Sequence, residues 1–251
     1  MLGSGTTVPD ADRGPAGFLL EAGGARLLVD GGTGTIGRLA RHGVDARALD
    51  GGVYSHRHVD HCGDLVPLLF SMRVGPESPR LRDYPIWAGA GFRSFLDGLE
   101  GVYGSWIRSE RFRSIVTELP LEGPGSADLP GGVLLETLPA VHTAGALHLR
   151  FTIGGFSLVF SGDTGPSPAL AELARGVDVL VTECAASGPD PWNSHLSPDD
   201  VAAIVDAARP GRVVLTHLYP GVDPSEALAT VGRTGIPTTR AEDGTVLTPG
   251  C

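Results

Sequence analysis

Apolar and polar positions along the chain fall into two rhythms, and their order predicts the elements. Residues 17–21 and 26–30 are short apolar runs on either side of Gly23-Gly24, the signature of a β-hairpin. Residues 35–42 read as a short helix. Val53-Tyr54-Ser55 reads as a buried strand, 63–74 as a helix, 86–88 as a strand and 90–100 as a helix. Residues 121–132 (Leu-Glu-Gly-Pro-Gly-Ser-Ala-Asp-Leu-Pro-Gly-Gly) are turn formers and predict an internal loop. Beyond it, strands are predicted at 133–138, 147–153 and 156–160, the last two joined by Gly154-Gly155. A helix at 168–175 leads to a strand at 178–182. Ser197-Pro198-Asp199-Asp200 then opens a helix through Ala208, with Ser at the N-cap, Pro at the first helical position and acids at the positive helix end. A strand at 212–216, a helix at 224–232 and a closing strand at 245–248 complete the reading. Strands precede helices in each half, which predicts a layered α/β (α+β) sandwich rather than one doubly wound sheet.

Length and composition narrow the class. A chain of 251 residues, 41% hydrophobic, suits one domain over 1–251 with a sizeable core. No apolar run approaches the roughly 20 residues that a membrane-crossing helix needs, and no secretion signal is visible. Cys62, Cys184 and Cys251 are odd in number and far apart, so a disulfide framework is not expected and the reducing cytoplasm is the default compartment. All 19 cationic residues are Arg, against 29 acids, for a net charge of −10. That balance disfavours broad nucleic-acid binding through a positive surface. The chain enters Gly3-Ser4-Gly5-Thr6 with almost nothing before it. If a strand leads into that turn, most of it is missing.

Eight histidines carry the chemical signal. His56-Arg57-His58-Val59-Asp60-His61 packs three imidazoles and a carboxylate into six residues after a predicted strand. On a loop, alternate residues converge, so His56 and His58 can share one metal while Asp60 and His61 turn toward another. Neutral imidazole and carboxylate suit first-row metals, with Zn²⁺ favoured and Mn²⁺ or Fe²⁺ as the other candidates. His142, Asp163 and His217 each follow an apolar strand where it emerges into a loop, the usual place for functional side chains. Singly each is weak; together they supply the ligands that two metals require. His42 and His148 read as structural. Cys62 and Cys184 read as buried packing residues, and Arg57 as a solvated loop residue. Trp106, Arg108, Arg111 and Arg113 fit a pocket rim and an exposed helix face equally well.

These residues resemble the metallo-β-lactamase fold superfamily, and within it the ribonuclease Z-like phosphodiesterase branch. The resemblance runs through Gly3-Ser4-Gly5-Thr6 with Pro9 and Arg13, Val29-Asp30-Gly31-Gly32, the histidine cluster, His142, Ser161-Gly162-Asp163-Thr164 and Leu215-Thr216-His217. It implies a four-layer αββα sandwich and a two-metal site. By resemblance, His56, His58 and His142 hold the first metal, Asp60, His61 and His217 the second, and Asp163 bridges both. Asp30 orients a ligand histidine. It also implies that Glu183 holds His195, and that His195 protonates the leaving oxygen. A homodimer is implied by the resemblance alone.

The reaction expected is hydrolysis of a small or nucleotide-like phosphodiester by a metal-bridging hydroxide, with Asp60 orienting or deprotonating the water and His195 as general acid. A lactone or carboxylic ester hydrolase, of the acyl-homoserine lactonase kind, and an arylsulfatase use the same fold and metals. The lactonase reaction does not need the Glu183–His195 pair. Processing of tRNA 3′ ends ranks lower: the 121–132 loop is too short for an RNA-holding arm, and a Lys-free acidic chain is poorly suited to phosphate neutralisation. A non-catalytic binding module ranks last, because all seven ligand positions are retained.

Overall fold

The computed structural model describes residues 1–74, 80–188, 190 and 193–249; Cys251 lies outside them. Two sheets stack face to face, each with helices on its outer side. The first sheet runs in the order β1 (Gly17–Ala22), β2 (Ala25–Gly31), β3 (Gly51–Tyr54), β4 (Tyr84–Gly89) and β5 (Ser114–Leu119). β1 and β2 form the antiparallel hairpin, and the other pairs are parallel. The second sheet is ordered β12 (Thr238–Arg240), β11 (Arg212–Thr216), β10 (Val179–Glu183), β9 (Phe156–Phe160), β8 (Leu147–Ile153), β7 (Val133–Pro139) and β6 (Gly125–Leu129). It is parallel from β12 to β9 and antiparallel from β9 to β6.

Strand alternation builds three hydrophobic layers. Leu27 and Val29 on β2 face inward, with Val53 and Trp87, onto Leu135, Leu149, Phe151, Phe160, Val181 and Val214 of the other sheet. Leu28, between them, faces outward onto helices α3 (Leu65–Val74) and α4 (Phe92–Tyr103), among Leu68, Leu69, Met72, Phe92 and Leu96. Tyr54 stacks on Phe92 with ring centres 5.1 Å apart. On the other flank, Leu180, Val213 and Leu215 pack against α5 (Pro168–Leu173), α6 (Pro198–Ala208) and α7 (Pro224–Gly232). The alternation of side-chain direction along β2 and β11, both almost wholly buried, thus supplies both faces of each sheet, and the four layers are helix, sheet, sheet, helix, as expected. The α6 start is as read: Ser197 and Asp200 close a reciprocal capping box behind Pro198.

Two expectations need correction. Residues 121–132 are not all loop, because Gly125–Leu129 forms β6, paired residue for residue with β7 through the turn at 130–132. The closing strand is not at 245–248. There Thr245 N–H bonds Glu242 and Glu242 N–H bonds the Thr245 hydroxyl, a turn that leaves Val246 80% exposed; the last strand is β12, on the edge beside β11. The helix at 63–74 stands as α3, and a single turn not read from the sequence, α2 (Val59–Cys62), precedes it. The other helix, α1 (Thr35–Arg41), stands as read. No helix among the described residues is long and apolar enough to cross a membrane.

Candidate metal centre

β3, β7, β9, β10 and β11 all point the same way, so the segments leaving them emerge at one edge of the sandwich. The 55–61 segment, which runs into α2, follows β3, His142 lies three residues past β7, Asp163 three past β9, Glu183 ends β10 and His217 follows β11. That edge, the carboxyl ends of parallel strands, is where open α/β sheets place their ligands.

The expected side chains converge there. Donor atoms of His56, His58, His142 and Asp163 lie within 4.8 Å of one another, and so do those of Asp60, His61 and His217. Asp163 touches both groups: its Oδ1 is 3.2 Å from His61 Nε2, and its Oδ2 is 3.6 Å from His217 Nε2, 3.9 Å from His56 Nε2 and 4.0 Å from His142 Nε2. Asp60 Oδ2 is 3.3 Å from His217 Nε2. Asp60, Asp163, His56, His61 and His217 are buried, while His58 is exposed.

The donor set fits metal ions. His142 Nε2 faces His58 Nδ1 at 3.1 Å, and His61 Nε2 faces His217 Nε2 at 3.4 Å. Ring nitrogens at such distances can share one proton or a metal cation, whereas two bare lone pairs there would repel. His56 Nε2 and His217 Nδ1 are buried without a partner, an arrangement that costs about 1–3 kcal/mol per group; a metal removes that cost for His56. Burial pulls His56 well below its ordinary pKa, and charge on His61 adds to the effect. Burial opposes charging His61 too, but Asp163 and Asp30 hold it well above its ordinary value. Asp163 is held well below the carboxylate range, against burial, by His217 and His61. The cluster therefore favours anionic carboxylates facing positive charge.

The surrounding contacts aim the rings. Asp30, wholly buried, accepts the Ser55 N–H and hydroxyl at 2.7 Å each, and its Oδ2 is 2.8 Å from His61 Nδ1. Ser55 Oγ is also 3.1 Å from His56 Nδ1, so one carboxylate orients His61 directly and His56 through a hydroxyl. His142 Nδ1 donates to the Ser194 carbonyl at 3.0 Å. Asp30 and His217 adopt left-handed backbone, with φ of 51° and 55°, which costs about 1–2 kcal/mol for a non-glycine residue. Such strain gathers at functional sites.

Glu183 and His195 meet as expected. Glu183, 1% exposed, lies 3.1 Å from His195 Nδ1 and also accepts the backbone N–H groups of Thr164, Ala185 and Leu196. The His195 ring is 5.3 Å from that of His142 and 6.1 Å from that of His217, and a ring nitrogen lies within 4.8 Å of the Asp163 and His217 donors. With Nδ1 on Glu183, Nε2 is left to face the cluster. Burial works against protonation of His195, but the hydrogen bond and charge of Glu183 outweigh it and push the pKa up to about 8.

The residues set aside are elsewhere or engaged. His148 is wholly buried between the Ser161 carbonyl and the Ser167 hydroxyl. His42 ends α1. Arg57 bonds the carbonyls of Gly91 and Ala144. Cys62 and Cys184 are buried free thiols, both pushed up to about 12 by burial. Trp106 is 63% exposed near Phe70, on the outer helical face. Sequence reading missed Tyr219. Its half-buried ring stands 5.7 Å from both His195 and His217, and its position two residues past a strand-end histidine was the available signal.

Comparison with known proteins agrees with this geometry. The sequence model described as beta-lactamase superfamily domain matches residues 25–218. Ribonuclease Z of Mycobacterium avium (strain 104) is 30% identical over 244 residues, covering 88% of this chain and 86% of that protein. Among solved structures, the metallo-beta-lactamase fold protein YhfI from Bacillus subtilis superposes with a TM-score of 0.83 at 23% identity, covering 98% of this chain and 96% of that one. The short form of human tRNase Z superposes at 0.77 with 19% identity, covering 100% and 98%.

Proposed function

Because the chain belongs to the beta-lactamase superfamily, in its ribonuclease Z-like branch, and is a metal-dependent hydrolase, we propose that it hydrolyses small phosphodiesters at a dinuclear centre. In this reading His56, His58 and His142 hold one divalent cation, Asp60, His61 and His217 a second, and Asp163 serves both, with Zn²⁺ the best match to the donor chemistry. When bound, such a pair would act as a Lewis acid and lower the pKa of water.

The chain's own groups supply the rest. Asp60, whose carboxylate lies 3.3 Å from His217 Nε2, orients the attacking water or takes its proton. His195, protonated through Glu183, gives a proton to the departing oxygen. The Glu183–His195 contact of 3.1 Å beside the cluster carries the choice of phosphodiester over lactone. An alkoxide leaving a phosphorus centre needs a proton, whereas a lactone alkoxide released at the carbonyl can be held by a metal. The acidic, Lys-free composition and the engagement of Arg57 by backbone carbonyls favour a small substrate over a long polyanion. The relatives named ribonuclease Z make tRNA 3′-end cleavage the second reading.

Parallel rates on bis-p-nitrophenyl phosphate, an aryl sulfate, an acyl-homoserine lactone and a tRNA precursor test this. Phosphodiester turnover should dominate, and His195→Ala should lower it by about 10²–10⁴-fold for a substrate with a poor leaving group. Dominant lactone turnover, unchanged in His195→Ala, would overturn the assignment.

A further inference from the structure

The Gly3-Ser4-Gly5-Thr6 segment takes no part in the chemistry above, yet Ser4 is 1% exposed. Its carbonyl oxygen accepts the backbone N–H of His217 at 3.1 Å and the Thr216 hydroxyl at 3.3 Å. Those bonds grip the strand end that presents His217 with φ of 55°. A non-glycine residue in that region relaxes unless its surroundings hold it.

Ser4 is itself held by one carboxylate. Asp243 Oδ1 accepts the Ser4 N–H at 2.8 Å and the Ser4 hydroxyl at 3.0 Å, and Oδ2 accepts the Gly14 N–H at 2.9 Å. Gly14 in turn accepts the Gly5 N–H at 2.8 Å. The approach is close enough to require glycine: a Cβ on Gly3 would overlap the Pro15 carbonyl oxygen, and one on Gly5 would stand 2.7 Å from that of Arg13. Asp243 is placed just past β12 by Ala241 N–H on the Leu215 carbonyl at 2.8 Å and by Gly244 N–H on the Met1 carbonyl at 2.9 Å.

We infer that Asp243 is a positioning residue for the His217 half of the metal centre, acting through the backbone of Ser4. This rests on His217 being a ligand, as read above. The carboxylate accepts three donors at once. In Asp243→Asn the amide NH₂ must face one of the same N–H groups, so the shape persists while the clamp opens.

Zinc binding to metal-stripped, full-length protein, measured by chelator competition and metal stoichiometry, tests it. His217→Ala should lose one of two equivalents. Asp243→Asn should weaken that same equivalent about 10–100-fold, the usual effect of a residue that orients a ligand, and leave the other unchanged. Ser4→Ala, which keeps both backbone groups, should weaken it about two- to ten-fold. Asp178 makes the same kind of bond remote from the site, accepting the Ser157 N–H and hydroxyl at 2.7 and 2.8 Å; Asp178→Asn should leave both affinities at wild-type values. If His217→Ala leaves zinc binding intact, the ligand assignment falls. If His217→Ala weakens it but Asp243→Asn and Ser4→Ala do not, or if Asp178→Asn weakens it equally, the positioning role falls.

Discussion

Nδ1 of His195 stands 3.1 Å from Oε1 of Glu183, a buried carboxylate that also accepts three backbone N–H groups. Those donors stabilise the anion that the imidazolium needs, and the His195 pKa rises to about 8. A group with a raised pKa is protonated below that value, so a His195 acid is available at neutral pH and lost as pH rises through about 8. The rate on a diester with a poor leaving group is expected to fall over that range. Glu183→Gln removes the charge and should move the alkaline limb of the pH–rate profile to lower pH by about one unit or more. An unmoved limb in Glu183→Gln would exclude His195 as the titrating acid.

Metal removal should act on stability as well as activity. In the stripped protein the facing nitrogens of His142 and His58, at 3.1 Å, and of His61 and His217, at 3.4 Å, lack a metal to coordinate, and His56 Nε2 is buried without a partner. A cation that binds only the folded state adds about 2.7 kcal/mol at a hundred-fold excess over Kd. For a chain of this size that corresponds to a Tm increase of about 5 °C or more. Thermal unfolding with chelator and with added Zn²⁺ measures it; equal Tm values would mean that the cluster does not bind the ion.

Asp30→Asn should weaken metal binding without abolishing the fold. The carboxylate serves Ser55 and His61 together, at 2.7 and 2.8 Å, and an amide can accept from only part of that set. A loss of about 10–100-fold in metal affinity is expected. Asp30→Ala, which strands buried donors of Ser55 and His61, should in addition cost on the order of 3–5 kcal/mol of stability. Metal titration and urea unfolding of the two variants separate the effects.

How much of this was legible beforehand depended on how local each signal is. Four ligand-type residues sit within six positions at 56–61, so the centre announced itself, and His142, Asp163 and His217 were recognisable where apolar strands end. The Ser197–Asp200 capping box is equally local. β6 was hidden because its register is set by pairing with β7 while its own composition, Gly-Ser-Ala-Asp-Leu, is that of a loop. β5, an edge strand whose Ile115, Thr117 and Glu118 face solvent, has too little apolar alternation to be read. The link from Asp243 to Ser4 joins positions 239 residues apart, and no periodicity reports a contact of that kind.

His148 offers a pH dependence separate from catalysis. Its ring is 0% exposed, with Nδ1 2.7 Å from the Ser161 carbonyl and Nε2 3.0 Å from the Ser167 hydroxyl. Burial pulls its pKa down to about 4, against the pull of that carbonyl. An unfolded chain protonates the same ring near 6.5. Between those values the unfolded state binds more protons, so the stability contribution is fully present above about pH 6.5 and is lost as pH falls toward 4. The loss should reach about 2 kcal/mol by pH 5 and about 3 kcal/mol below pH 4. His148→Gln keeps a polar group between the same partners and cannot titrate. Urea unfolding of metal-free wild type and His148→Gln at pH 7.5 and pH 5 isolates the effect, because the acidic change common to both proteins cancels in the difference. Wild type is expected to lose about 2 kcal/mol more than the variant, and equal losses would show that the buried ring accepts its proton without unfolding.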